Sequence, residues 1–270
     1  MTRPSGQTAA GTAIATSTAD AIYIRDRNLV EELMGRLDFT SMLAFQIRGE
    51  VPTAGERAML DAVLVTLMEH GLTPSSISAR LIYGSSPDSL QSAVAGGLLA
   101  AGSAFLGSME NLAVLLQEGA TRIEAGEDDV DDYARATIAG LLAAGEPVPG
   151  FGHHIHRPDD PRPGRLIEIA REHGIAGLHV DLLLAISREL DAAKGRHVTI
   201  NATGGVAACL SDMGYPARIL RGFSLIARAA GLVGHLLEEQ QEPLSRELWA
   251  LVEDAVPYRG SAVSDRAPAE

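Results

Sequence analysis

One cysteine, Cys209, stands among 270 residues, so no internal disulfide can brace the chain, which suits a reducing compartment such as the cytoplasm. Aromatic side chains are scarce too, at 4%. A core of that composition is built from Ala, Leu, Val and Ile, with glycines that let helices approach closely, rather than from aromatic-rich sheet faces. Basic residues are outnumbered, 22 Lys and Arg against 35 Asp and Glu, for a formal net charge of −13. That balance argues against nonspecific nucleic-acid or anionic-membrane binding, which needs basic surface. Any anionic ligand must find a local basic pocket. No continuous apolar run opens the chain: residues 1–20 are rich in Ser, Thr, Ala and Gly and are expected to form a disordered tail without a secretory signal. Residues 89–109 are uncharged, but their several Gly and Ser fit a buried helix followed by a loop better than a membrane span.

What is present points to a folded protein, with 46% hydrophobic and 21% charged residues, long enough for one large domain or two smaller ones. Helical periodicity dominates and alternating β-branched runs are few, so the expected class is all-α. Thr53-Ala-Gly-Glu56 is a capping box opening a helix that runs to about 70, with Met59, Leu60, Val63, Leu64 and Leu67 on its apolar face. Ser86-Pro87 reads as another helix start. Acidic residues 127–132 precede a further helix, and others are expected near 162–174, 178–194, 204–213, 216–239 and 243–254. The Pro/Gly break Gly145-Glu-Pro-Val-Pro-Gly150 predicts a hinge. It divides the chain into a large helical domain, 21–145 with 223–270, and a small inserted one, 146–222.

Beyond that break lies Pro149-Gly-Phe-Gly-His153, with Arg162 nine residues after the histidine. Glycines on either side of Phe151 let backbone and imidazole approach a ligand. Asp160 is a good N-cap and Pro161 suits the first helical position, which sets Arg162 at a helix N-terminus where an anion is favoured. This arrangement suits a carboxylate-bearing substrate. His153, His154 and His156 also invite a metal reading, but no companion ligand spacing supports it, and no metal is expected. His235 ends an apolar helical stretch and reads either as a core histidine or as a pocket wall. Cys209, in an apolar run, reads as core.

Three separated segments together resemble the citrate synthase superfamily, most closely its short citryl-CoA lyase-type members and the citrate-cleaving end of ATP-citrate lyase. They are Pro149-Gly-Phe-Gly-His153 with Asp-Pro-Arg162, Glu69-His70-Gly71 with the serines after it, and Ala227-Arg228-Ala-Ala-Gly231-Leu-Val-Gly-His235. The resemblance implies a citrate synthase-like fold in which a coenzyme A thioester and a polycarboxylate meet between two domains. It puts His153 at the substrate hydroxyl or carbonyl oxygen, where an imidazole can exchange a proton. His70, Arg162 and Arg228 would hold carboxylates. Arg157 would meet CoA phosphates, and Val148, Pro149 and Gly150 would line the adenine. It also implies a homodimer, with Arg259 of one tail reaching the partner's site.

Two departures shape the expected chemistry. Phe105 stands where the family's synthases carry a histidine, as in ATP-citrate lyase, which pulls the reading toward cleavage. Thr203 stands where the family's catalytic aspartate lies, and a neutral hydroxyl cannot take a proton from carbon at pH 7. The expected activity is therefore a carbon–carbon lyase acting on citryl-CoA or a related 3-hydroxy-3-carboxyacyl-CoA, with His153 as base and Thr203 or backbone donors at the enolate oxygen. The alternatives are a citrate synthase-type condensing enzyme and an acyl-CoA-binding member with altered thioester chemistry.

Overall fold

The computed structural model describes residues 11–259, the side chains of 104–106 aside. Eleven α-helices follow a small N-terminal sheet among these residues, so the class is all-α as expected. Of the expected tail, residues 1–10 lie outside the described residues, whereas β1 (Ala15–Ser17) pairs antiparallel with β2 (Ile22–Ile24), which pairs with β3 (Arg27–Asn28). This corrects the tail reading, and the cause is tertiary. Arg25 and Asp26 make the β2–β3 turn with positive φ values of 47° and 65°. The Arg25 guanidinium donates to the carbonyls of Gln46 and Ile47 at 2.9 and 3.1 Å, the end of α1 (Phe39–Arg48), and so anchors a turn that neither residue favours alone.

The capping box forms at the start of α2 (Ala54–Met68). Thr53 Oγ1 accepts from the Glu56 amide at 3.2 Å while Glu56 Oε2 accepts from the Thr53 amide at 2.8 Å. All five residues assigned to its apolar face are buried. α3 (Pro74–Ser85) closes where Ser86-Pro87 had suggested a start, and α4 (Leu90–Leu99) begins three residues past that proline. The uncharged segment is broken at 100–102 before α5 (Ser103–Glu124), so it cannot cross a membrane as one helix. α6 (Val130–Ala144) is capped by Asp129, and α7 (Pro161–Glu172) by Asp160. α8 (Leu178–Lys194), α9 (Ala202–Asp212), α10 (Leu220–Gln241) and α11 (Ser245–Ala255) complete the order. By length and composition α10 could span a membrane. Here it packs against α2, α3, α4 and α5.

Two apolar clusters hold these elements. The larger runs from Met59 and Leu60 through Leu112, Leu116 and Ile138 to Leu166, Leu183, Val206 and Phe223, bringing α5 onto α9, α6 onto α8 and α2 onto α7. It thus crosses both boundaries of the expected small domain. The smaller, Ala79, Ala93, Leu232 and Leu236, joins α3 and α4 to the later turns of α10. The histidine loop is clamped to α9 by backbone. Asn201 N donates to the Gly150 carbonyl at 3.0 Å, Gly152 N to that of Thr199 at 2.8 Å, and Phe151 bridges Ile200. Gly150 sits at φ 82°, and a Cβ there would fall 2.4 Å from Leu112 Cδ2 and 3.0 Å from Gly204 Cα. Only glycine allows both the turn and this approach.

Candidate active site

A cleft of about 700 Å³ opens between the end of α2, the start of α9, the histidine loop and α10. Its walls include His70, His153, Arg162, Thr203 and Arg228, so five residues singled out from four separate parts of the sequence converge. The ring centroids of His70 and His153 are 5.4 Å apart, with the ring planes inclined at 61°. Arg162 Nη2 lies 3.4 Å from His153 Nε2.

Local bonding sets the proton on His153. Its Nδ1 accepts from the amides of Ile155 and His156 at 3.1 and 3.0 Å, so the neutral ring carries its proton on Nε2. Burial, with His156 and Arg162 adding positive charge nearby, holds its pKa below 6.5 despite the opposing Asp160. Burial and then Arg162 do the same to His70, whose ring makes no hydrogen bond among the described residues. At neutral pH the site thus holds His153 as an Nε2–H donor and His70 as a neutral acceptor. The first assignment corrects the expectation that His153 is the base: the two loop amides already occupy the nitrogen whose protonation would free Nε2.

Arg162 is fixed by the residue that caps its helix. The Asp160 carboxylate, with no exposed side-chain surface, accepts from Arg162 Nε at 2.9 Å, Arg162 Nη2 at 2.7 Å, the Arg162 amide at 3.0 Å and the Ala202 amide at 3.1 Å. The last bond ties α7 to α9. Arg228 is held differently. Its side chain is 14% exposed, its Nη1 is buried with no hydrogen-bond partner among the described residues, and Glu69 Oε1 stands 3.7 Å away. Burial lowers its pKa, only partly offset by Glu69. Arg228 lines the cleft while its Nη1 lacks a hydrogen-bond partner among the described residues, an arrangement that is costly for a buried donor.

Thr203 is less free than expected. Its hydroxyl donates to Asn201 Oδ1 at 2.6 Å, so the Ser108 hydroxyl, 2.8 Å away, donates to it in turn. Asn201 Nδ2 completes the chain on the Gly152 carbonyl at 3.1 Å. The hydroxyl protons of Ser108 and Thr203 both point along this chain, which leaves Thr203 no spare donor for an enolate oxygen in this arrangement. Ser108, Asn201 and Glu69 are the site residues that sequence reasoning had not assigned a role. The Asn-x-Thr-Gly cap signature could have flagged Asn201, but nothing local marks Ser108.

The remaining assignments divide. Arg157 lines a second cavity of about 410 Å³ that shares Gly152 and His153 with the first, together with Arg196 and His197. Val148, Pro149 and Gly150 line neither cavity, and Val148 packs on the large core instead. Arg259 is exposed and lines neither cavity. The Phe105 side chain lies outside the described residues; its backbone belongs to the first turn of α5. His235 lies behind the cleft wall with Nε2 3.0 Å from Glu69 Oε2. Cys209 is core, and burial pushes its thiol up to about 12. His70, His153 and His156 each bring one ring nitrogen within 4.8 Å of the others, the spacing of a loose metal cluster. A metal on His153 Nε2 would force a proton onto Nδ1 against two amide donors, beside the Arg162 guanidinium, and this opposes it.

Close helix packing behind the site gives a direct test. A Cβ at Gly231 would stand 2.3 Å from the Met68 carbonyl oxygen and 3.0 Å from Glu69 Oε2. Gly231→Ala is expected to push α10 from the end of α2 and cost about 1–3 kcal/mol, read as a lower urea midpoint at unchanged m-value.

Comparisons with known proteins show the family and the fold. The family described as citrate synthase, C-terminal domain, matches residues 6–248. The structure of citryl-CoA lyase from Hydrogenobacter thermophilus is similar at 33% identity and TM-score 0.82, covering 97% of each chain. ATP citrate lyase of Methanosaeta concilii, solved with (3S)-citryl-CoA, is similar in fold at 18% identity and TM-score 0.73, covering 97% of this chain and 43% of that one. Among curated relatives, a putative citrate synthase 2 of Mycobacterium tuberculosis is 28% identical over 186 residues, 67% of this chain and 47% of its own length. The chain thus spans about half the length of the curated relatives it matches first.

Proposed function

The chain belongs to the citrate synthase family, and from that premise we propose that it cleaves citryl-CoA, or a related 3-hydroxy-3-carboxyacyl-CoA, to acetyl-CoA or another acyl-CoA and a 2-oxo acid. The observation that carries this reading is that Arg228, the anchored Arg162 and His153 line one cleft. Two guanidiniums supply carboxylate recognition, and the imidazole N–H supplies a donor to the oxygen between them. Full-length likeness to a citryl-CoA lyase supports the direction.

In this mechanism the substrate hydroxyl gives its proton to His70. The carbon–carbon bond breaks, the hydroxyl carbon becomes the carbonyl of the 2-oxo acid, and the electron pair moves into the thioester enolate. His153 Nε2–H holds the oxygen throughout, and the enolate carbon takes a proton from water as His70 returns its own to solvent. Proton and electron counts balance with no further reactant. The CoA portion extends past the histidine loop to Arg157 and Arg196. A homodimer and movement of residues 146–222 about the Gly145–Gly150 break belong to the same reading. Steady-state release of 2-oxo acid from citryl-CoA, coupled to NADH oxidation by a dehydrogenase, tests it. Release above background is expected, and bound but unreleased thioester would overturn it in favour of an acyl-CoA-binding role.

Thr203 separates cleavage from condensation. Thr203→Asp places a carboxylate at the second residue of α9, where the helix N-terminus favours it. We expect the variant to exchange the methyl protons of acetyl-CoA in heavy water about 10- to 100-fold faster than the parent. Equal exchange would show that the hydroxyl is not what restrains carbon-acid chemistry.

A further inference from the structure

From Glu69 in the cleft wall a line of polar groups runs back into the protein. Arg80 on α3 is 1% exposed, its Nη1 donates to Glu239 at 3.0 Å and its Nη2 meets Nδ1 of His235 at 2.8 Å, with Glu238 accepting from the same nitrogen. A guanidinium can only donate, so His235 Nδ1 is the acceptor and the neutral ring carries its proton on Nε2. That nitrogen lies 3.0 Å from Glu69 Oε2 but makes no hydrogen bond among the described residues. The other Glu69 oxygen accepts from the amides of His70 and Gly71 at 2.8 and 2.7 Å and faces Arg228 at 3.7 Å.

Glu69 therefore stands between the Arg228 guanidinium and the ring nitrogen of His235. Its side chain is 44% exposed, and a small swing would close the gap to Arg228 into a hydrogen-bonded ion pair. Such a pair would occupy the nitrogen that a substrate carboxylate needs. We propose that His235 is a positioning residue that keeps Glu69 off Arg228, leaving that guanidinium open and the His70 loop fixed. Arg80, paired with Glu239 in the core, fixes the ring's tautomer so that its proton lies on the nitrogen next to Glu69. The ligand-binding part of this proposal rests on the tricarboxylate reading above.

The two imidazole nitrogens can be mimicked separately. His235→Asn retains an acceptor for Arg80 near Nδ1 but loses the donor to Glu69, whereas His235→Gln retains a donor near Nε2. Citrate binding by calorimetry, amide shifts of His70 and Gly71 by nuclear magnetic resonance, and melting temperature are measured on both. We expect His235→Asn to shift both amides and weaken citrate at least about tenfold, His235→Gln to stay near the parent, and Glu69→Gln added to His235→Asn to restore binding. The proposal fails if His235→Asn leaves the amides and citrate affinity unchanged. It fails equally if both variants lose binding only in step with melting temperature, since His235 would then merely satisfy Arg80. Should the parent itself bind no citrate, the tricarboxylate reading falls, and the amide shifts decide the positioning role alone.

Discussion

Arg228→Met is expected to weaken tricarboxylate binding about 30- to 1,000-fold, a loss of about 2–4 kcal/mol, while leaving the melting temperature unchanged or higher. The two effects separate because the buried guanidinium has few partners in the fold to lose. Its Nη1 has no hydrogen-bond partner among the described residues, and burial already pushes its pKa down. Replacing a poorly compensated buried charge with an apolar chain of similar length is often neutral or stabilising, by about 1–4 kcal/mol. Calorimetric titration with citrate beside a thermal melt checks both halves. Parallel losses of binding and stability would mean that Arg228 braces the fold rather than waiting for a ligand.

Asp160→Ala carries the largest expected stability cost, about 3–5 kcal/mol, because its carboxylate is buried and receives four N–H bonds from Arg162 and Ala202. Activity should fall with it, since Arg162 loses the fork that aims it beside His153. The same carboxylate makes a prediction about acid. Burial alone would raise its pKa, but the hydrogen bonds and charge of Arg162 prevail and hold it below 3.8. A depressed folded pKa gives stability that is present above the unfolded value and lost as pH falls through the folded one. Its contribution is thus complete at neutral pH and fades below about pH 4. Urea midpoints measured from pH 7 to pH 3 should converge for the parent and Asp160→Ala at the acid end. A gap that stays constant across that range would contradict the assignment of the stability to the ionised carboxylate.

Much of this molecule was legible where its cause is local. The capping box at Thr53, the Asp160-Pro161 start of α7 and the 178–194 span of α8 depend on residues adjacent in sequence, and they form as read. Convergence of His70, His153, Arg162, Thr203 and Arg228 came from motif resemblance, which periodicity alone would not have given. What stayed hidden depends on partners far along the chain. The N-terminal sheet is pinned by carbonyls at the end of α1, and its turn uses Arg25 and Asp26 rather than the Asn-Gly pair that advertises a hairpin. Ser86-Pro87 misled because α3 runs up to it, so the proline follows a helix end instead of opening the next. The proton on His153 could not be read from Gly-His-His at all, since two amides of its own loop decide it.

The account turns on bond cleavage at the substrate hydroxyl. A single-turnover quench of excess protein with citryl-CoA, resolving every thioester and acid by chromatography, tests it most directly. Acetyl-CoA and oxaloacetate in equal amounts is the predicted outcome. Intact citryl-CoA, or citrate with free CoA from thioester hydrolysis, would contradict it.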